Sequence, residues 1–275
     1  MKKVIYLVIV IALLAALPAC GRGEGGAAGY GAGGGQSLRE GSTSPLHSSI
    51  AQDETYQKLL GLNILLYPPP VDDPKFELYG SPNWDLDATG FVKLMKDNFK
   101  GQMDDQAVYE PKVDALQNDP LIAQIQEKVF GGKPVQVGWI YGNNAKLDFM
   151  ETNGENVVLI PANNMLIFAG KKSDVDPTTA KFDIGKAAAF YIPANAVVTF
   201  YTDTLRSAPL RIDQNTGALT AVIVPEGVGL EQASPGSGID QALVAKNRWV
   251  FGQPGKSEGF FEGLTGGTKE IVPIN

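Results

Sequence analysis

Cysteine and histidine are almost missing. The 275 residues hold one of each, Cys20 and His47. No intramolecular disulfide can form, and no zinc site with several Cys or His ligands can be assembled. The region after His47 has no histidine, which excludes Ser-His-Asp and Cys-His catalysis there. Positive charge is short as well: 23 Lys and Arg stand against 30 Asp and Glu, a formal charge of −7. Nucleic-acid binding needs a basic face to offset phosphate, so no nucleic-acid partner is expected. The one extended apolar run, Val4 to Leu17, falls short of the ~20 residues that cross a bilayer as a helix. Apolar residues are nonetheless 44% of the chain, which excludes wholesale disorder. With 32 glycines and 18 prolines the composition favours a turn-rich, mainly β protein over a helical bundle.

The apolar run follows Lys2 and Lys3 and ends in Leu17-Pro18-Ala19-Cys20. Basic start, short apolar stretch and small residue form a secretory signal pattern. The last four residues resemble the lipobox of bacterial lipoproteins. That resemblance implies removal of residues 1–19 and a diacylglyceryl group on the Cys20 thiol. It implies a chain held by lipid on the extracytoplasmic side of a bacterial cell membrane. Two or more acyl chains anchor stably. The other reading of the same run is an uncleaved anchor helix. Residues 20–53 are Gly- and Ser-rich and read as a flexible tether, with an r.m.s. span of roughly 30 Å. His47 lies in it as a solvated residue, and Pro68-Pro69-Pro70 beyond it reads as a rigid spacer.

The folded part is expected over 54–275. Helical spacing covers 54–66, 87–99 and 120–130. Asp87 is read as a cap of the second, and Asp119-Pro120 as cap and first residue of the third. Strands are read at 135–141, 146–151, 156–160, 165–171, 188–192, 196–202, 210–213 and 219–224, each bounded by turn residues. That density implies a sandwich or barrel. Val158-Leu159-Ile160-Pro161-Ala162-Asn163 is echoed by Phe190-Tyr191-Ile192-Pro193-Ala194-Asn195, two Pro-Ala-Asn turns that reverse the chain.

Three stretches and a tail carry a family resemblance. They are Pro74–Gly80 with Leu86-Asp87, Gly142–Glu151 leading into Met165–Gly170, Ala189–Ala194 through Thr204–Pro209, and Leu243–Trp249. Together they resemble an uncharacterised family of bacterial cupin-like proteins related to the ureidoglycolate-lyase-like cupins. The fold implied is mainly β: a cupin-like double-stranded β-helix barrel, or jelly roll, with N-terminal helices. Family members tend to carry a His shortly after the residue matched by Glu151 and another after Thr204-Leu205. Here Asn153 and Arg206 stand in those places. Arg cannot lose its proton, so it is no metal ligand. No metal and no cofactor are expected, although Asp148, Glu151 and Glu155 are oxygen donors for a hard cation.

A guanidinium in that pocket would instead bind an anionic ligand through a forked hydrogen bond. The ligand-binding set expected is Arg206, Glu151, Asn153, Asn144 and Lys246, holding a small polar solute such as a sugar or sugar acid. The alternative is a carbohydrate-active isomerase or lyase with Glu151 as catalytic base. Fold alone does not decide between them, and a purely structural surface protein is a third reading. Asn247 and Trp249 can line a sugar site by hydrogen bonding and stacking, although a Trp in an alternating strand is more often core; Gly131-Gly132-Lys133 lacks the glycine and hydroxyl that a phosphate loop requires. Oligomeric state, including a homodimer, is left open.

Overall fold

Three apolar layers explain why so few strands alternate in polarity. The computed structural model describes residues 50–101, 107–255 and 260–275. In chain order the elements are α1 (Glu54–Leu62), β1 (Gly80–Pro82), α2 (Thr89–Asn98), β2 (Val108–Glu110), α3 (Asp114–Gln117), α4 (Pro120–Phe130), β3 (Val135–Gly142), β4 (Phe149–Asn153), β5 (Val157–Pro161), β6 (Met165–Lys171), β7 (Phe182–Asp183), β8 (Ala188–Ile192), β9 (Val198–Phe200), β10 (Thr204–Ser207), β11 (Leu210–Arg211), β12 (Ala218–Pro225), β13 (Leu243–Ala245), β14 (Arg248–Gly252) and β15 (Leu264–Thr265). The first sheet runs β1-β9-β5-β12-β3-β2. The second runs β11-β6-β10-β4-β14-β13, with β8 also on β6.

The chain crosses between the sheets as it goes. The strands β3, β5, β9 and β12 lie in the first and β4, β6, β8 and β10 in the second. Antiparallel pairs β3–β12, β4–β10, β5–β9 and β6–β8 wind together. That is jelly-roll connectivity, the double-stranded β-helix expected from the sequence. Register fixes the faces, because directly opposed residues share one. Ile140, Leu159, Val198 and Val222 of the first sheet meet Met165, Ile167, Phe190 and Ile192 of the second inside the roll. The outer face of the first sheet is covered by α2, α3 and α4 through Phe91, Met95, Leu116 and Ile125. The outer face of the second is covered by α1 and the C-terminal segment through Leu59, Phe182 and Ile271. With both faces of both sheets covered, β3 and β12 are buried along their whole length.

Local chemistry sets the element ends. Asp119 accepts from Leu121 N at 2.9 Å, Pro120 takes the first helical position, and Gly131 closes α4 at φ 60. The helix expected over 54–66 stops at Leu62, because Asn63 leaves helical geometry. The one expected over 87–99 begins at Thr89, whose N–H donates to Asp87 Oδ1 at 2.9 Å. A Cβ at Gly138 would sit 2.3 Å from Glu110 O, so only glycine lets β2 lie against β3. The two Pro-Ala-Asn turns pack on each other. Asn195 N donates to Pro161 O at 2.9 Å and Ala194 N to Asn164 Oδ1 at 2.8 Å, with Asn195 at φ 64.

Among the described residues no helix is long and apolar enough to cross a membrane. The signal segment 1–19, Cys20, the tether and His47 lie outside the described residues, apart from the last few positions up to 53.

Candidate functional site

Among the described residues, one group of side chains inside the roll is charged. Glu151 of β4 pairs in register with Arg206 of β10 and with Val250 of β14, and Asn153 pairs with Arg248. Alternation therefore puts Glu151, Asn153, Arg206 and Arg248 on the inner face of the second sheet. Arg206 Nη2 lies 2.8 Å from Glu151 Oε1. Arg248 Nε donates to Glu151 Oε2 at 2.8 Å, and its Nη2 lies 2.8 Å from the same oxygen. Arg206 Nη1 donates to Asn153 Oδ1 at 3.3 Å. The guanidinium of Arg248 lies 4.8 Å from the centre of the Tyr109 ring, a cation–π contact from β2. The Arg206 side chain is 4% exposed and that of Arg248, the most open, 16%.

Burial alone would raise the pKa of Glu151. The guanidinium groups of Arg206 and Arg248 outweigh it and hold the carboxyl below its ordinary range. Burial by itself would lower that of Arg248, but Glu151 reverses the sign. The Tyr109 phenol is pushed up by burial, so it stays neutral at neutral pH. The cluster thus carries two positive charges and one negative, an excess of one cation in a water-poor interior. Both oxygens of Glu151 are engaged by cations, so it is a weak proton acceptor and fits poorly as a base.

Of the residues expected from the sequence, Arg206, Glu151 and Asn153 come together, and two do not join them. Asn144 is buried after β3, and its carbonyl accepts from Arg211 N at 3.0 Å. Arg211 pairs with Met165 whereas Arg206 pairs with Ala169, four residues along β6, or roughly 13 Å of strand. Lys246 is exposed at the β13–β14 turn and faces Glu231 at 3.3 Å. Neither residue has a strand register legible from local pattern, and the resemblance put them near Glu151 only by order.

Arg248 and Tyr109 are the members that sequence reading left out. The signal for Arg248 is alternation: Arg248, Val250 and Gly252 face inward while Trp249 and Phe251 face out. Trp249 accordingly lies outside, its Nε1 donating to Asp240 Oδ1 at 2.9 Å under Lys172, and Asn247 forms the turn at φ 56. Glu155 pairs with Lys133 at 3.6 Å on the surface. Among the described residues no group of three or more His, Cys, Asp or Glu is placed to hold a metal ion. Two clefts of about 240 and 270 Å³ open on the surface, and neither is lined by the arginine–glutamate cluster.

A family model described as a domain of unknown function, DUF4867, matches residues 69–269. No curated protein matches. Among solved structures, Bacillus subtilis oxalate decarboxylase, an enzyme with Mn(II) centres, is 8% identical at a TM-score of 0.29, over 48% of this chain and 28% of that one. Procruciferin, an 11S globulin from Brassica napus, is 5% identical at a TM-score of 0.28, over 57% of this chain and 29% of that one. The chain spans less than a third of the length of either. Likeness at this level says nothing about activity.

Proposed function

We propose that this chain, which belongs to the DUF4867 family, is a lipid-anchored extracytoplasmic binding protein whose jelly roll takes up a small anionic solute of the sugar-acid type. One observation carries the binding half: the excess positive charge of Arg206, Glu151 and Arg248 within the roll. An uncompensated buried charge is strongly unfavourable, and an anion that pairs with it relieves that penalty. Arg248 is the contact point. Its Nε and Nη2 are committed to Glu151, its Nη1 is committed to no described residue, and it is the least buried of the three. A carboxylate meets that edge with charge-assisted hydrogen bonds. Arg206, itself hydrogen-bonded to Asn153, holds Glu151 in place behind it. The anchoring half is supported by the signal pattern that ends in Leu17-Pro18-Ala19-Cys20.

A thermal-shift comparison of matched pairs tests the binding half. Each neutral sugar is set against its own acid at millimolar concentration. The acids raise the melting temperature and the neutral sugars do not. Equal shifts within every pair, or none in any, exclude an anion site. The mass of the purified chain tests the anchor: the native protein carries acyl groups that Cys20→Ser loses.

A further inference from the structure

The turn that follows α1 holds apolar side chains in water. Ile64 is 73% exposed, Leu65 wholly so, and Tyr67 65%; Leu62 and Val272 beside them are half exposed. Single apolar residues on a surface need no explanation, but four within six positions do. The turn is not a loose one. Leu66 N and Tyr67 N both donate to Asn63 O at 3.0 Å. The buried Asn63 side chain donates to Leu59 O and Val272 O at 3.0 Å and accepts from Val272 N at 2.8 Å. Leu66 packs inward on the core, and Tyr67 takes φ 36 before the three prolines. The fold therefore fixes Ile64, Leu65 and Tyr67 facing outward.

We propose that this Leu62–Tyr67 turn docks into the surface of a lipid bilayer. The inference rests on the anchored reading above, which gives the turn its membrane. The described chain begins at Ile50, buried against the same core cluster as Tyr56 and Leu59. The nine residues of α1 rise only about 13 Å. A chain tethered by its N-terminus thus presents this turn close to where the tether attaches. The side chains suit the interface: branched apolar groups to insert, Tyr67 at headgroup depth, and Lys75 in the same cleft as Leu65 and Tyr67, long enough to reach up to water. Attraction to anionic lipid is not the driving force. Asp72 and Asp73 act on Tyr56 at this end of the molecule, and the whole chain is acidic. Apolar insertion drives docking, so it resists salt.

The test uses residues 20–275, the mature chain of that reading, with Cys20→Ser and an N-terminal polyhistidine tag, held on phosphatidylcholine vesicles by nickel-chelating lipid. Cys20 is the sole cysteine, so Leu65→Cys or Leu230→Cys then carries the only label, an environment-sensitive fluorophore. On vesicles the probe at 65 shifts to the blue and is quenched by brominated lipid, with and without 1 M salt. The probe at exposed position 230 does neither. Identical emission at the two positions overturns docking. So does a shift at 65 that grows with protein concentration in the absence of vesicles, which marks a second copy as the occupant. Because the tag replaces the acyl groups, a chain that proves unacylated contradicts the anchor without touching this readout.

Discussion

Glu151 shares its charge between two guanidinium groups, and its replacement leaves two cations facing each other inside the roll. Breaking a buried pair in this way costs about 3–5 kcal/mol. Glu151→Ala should lose that much in urea unfolding, whereas Lys246→Ala, whose partner Glu231 is exposed, should change stability by less than ~1 kcal/mol. The same charge gives a pH signature. The carboxyl of Glu151 is held low in the folded state, so its contribution is fully present above the ordinary carboxylate range. That contribution is lost as pH falls through the depressed folded value. Melting temperatures of wild type and Glu151→Gln should therefore differ most near pH 7 and draw together as the pH is lowered below the ordinary carboxylate range. A gap that stays constant over that range contradicts the buried charge.

At the scale of elements, legibility followed the range of the forces. The helix Pro120–Phe130 was readable to the residue because its cap, its first proline and its closing glycine are local signals. Asp119→Ala should cost about 1 kcal/mol in urea unfolding, the usual value for a lost cap. The strands β3, β6, β8 and β12 were readable because doubly covered strands are continuous apolar runs. β10 and β14 were not, because each places an arginine in its interior and reads as a loop until a partner strand is known. The site shares that blindness. Arg206 and Glu151 were reached through a resemblance, and Arg248 was missed, because the register that joins all three runs between segments nearly 100 residues apart. Edge strand β2, paired with β3 and lying close against Gly138, brings Tyr109 to Arg248. Gly138→Ala should push β2 off its neighbour and speed amide exchange at Val108–Glu110, while exchange in β12 stays slow.

For the whole molecule, jelly-roll connectivity and a packed interior bring four polar side chains to one inner face. A domain of this size needs no ion cluster for stability, since apolar replacements of a buried charge triad are often neutral or stabilising. The surplus positive charge is what the proposed anion would neutralise. The most direct measurement is calorimetric titration of the best-stabilising sugar acid into wild type and Arg248→Met. Removing Arg248 leaves Arg206 and Glu151 as a neutral pair and takes away the contact edge. Affinity should fall at least tenfold, roughly 1.4 kcal/mol or more, with the variant still folded by circular dichroism. Equal affinity in the two proteins would contradict the anion site outright.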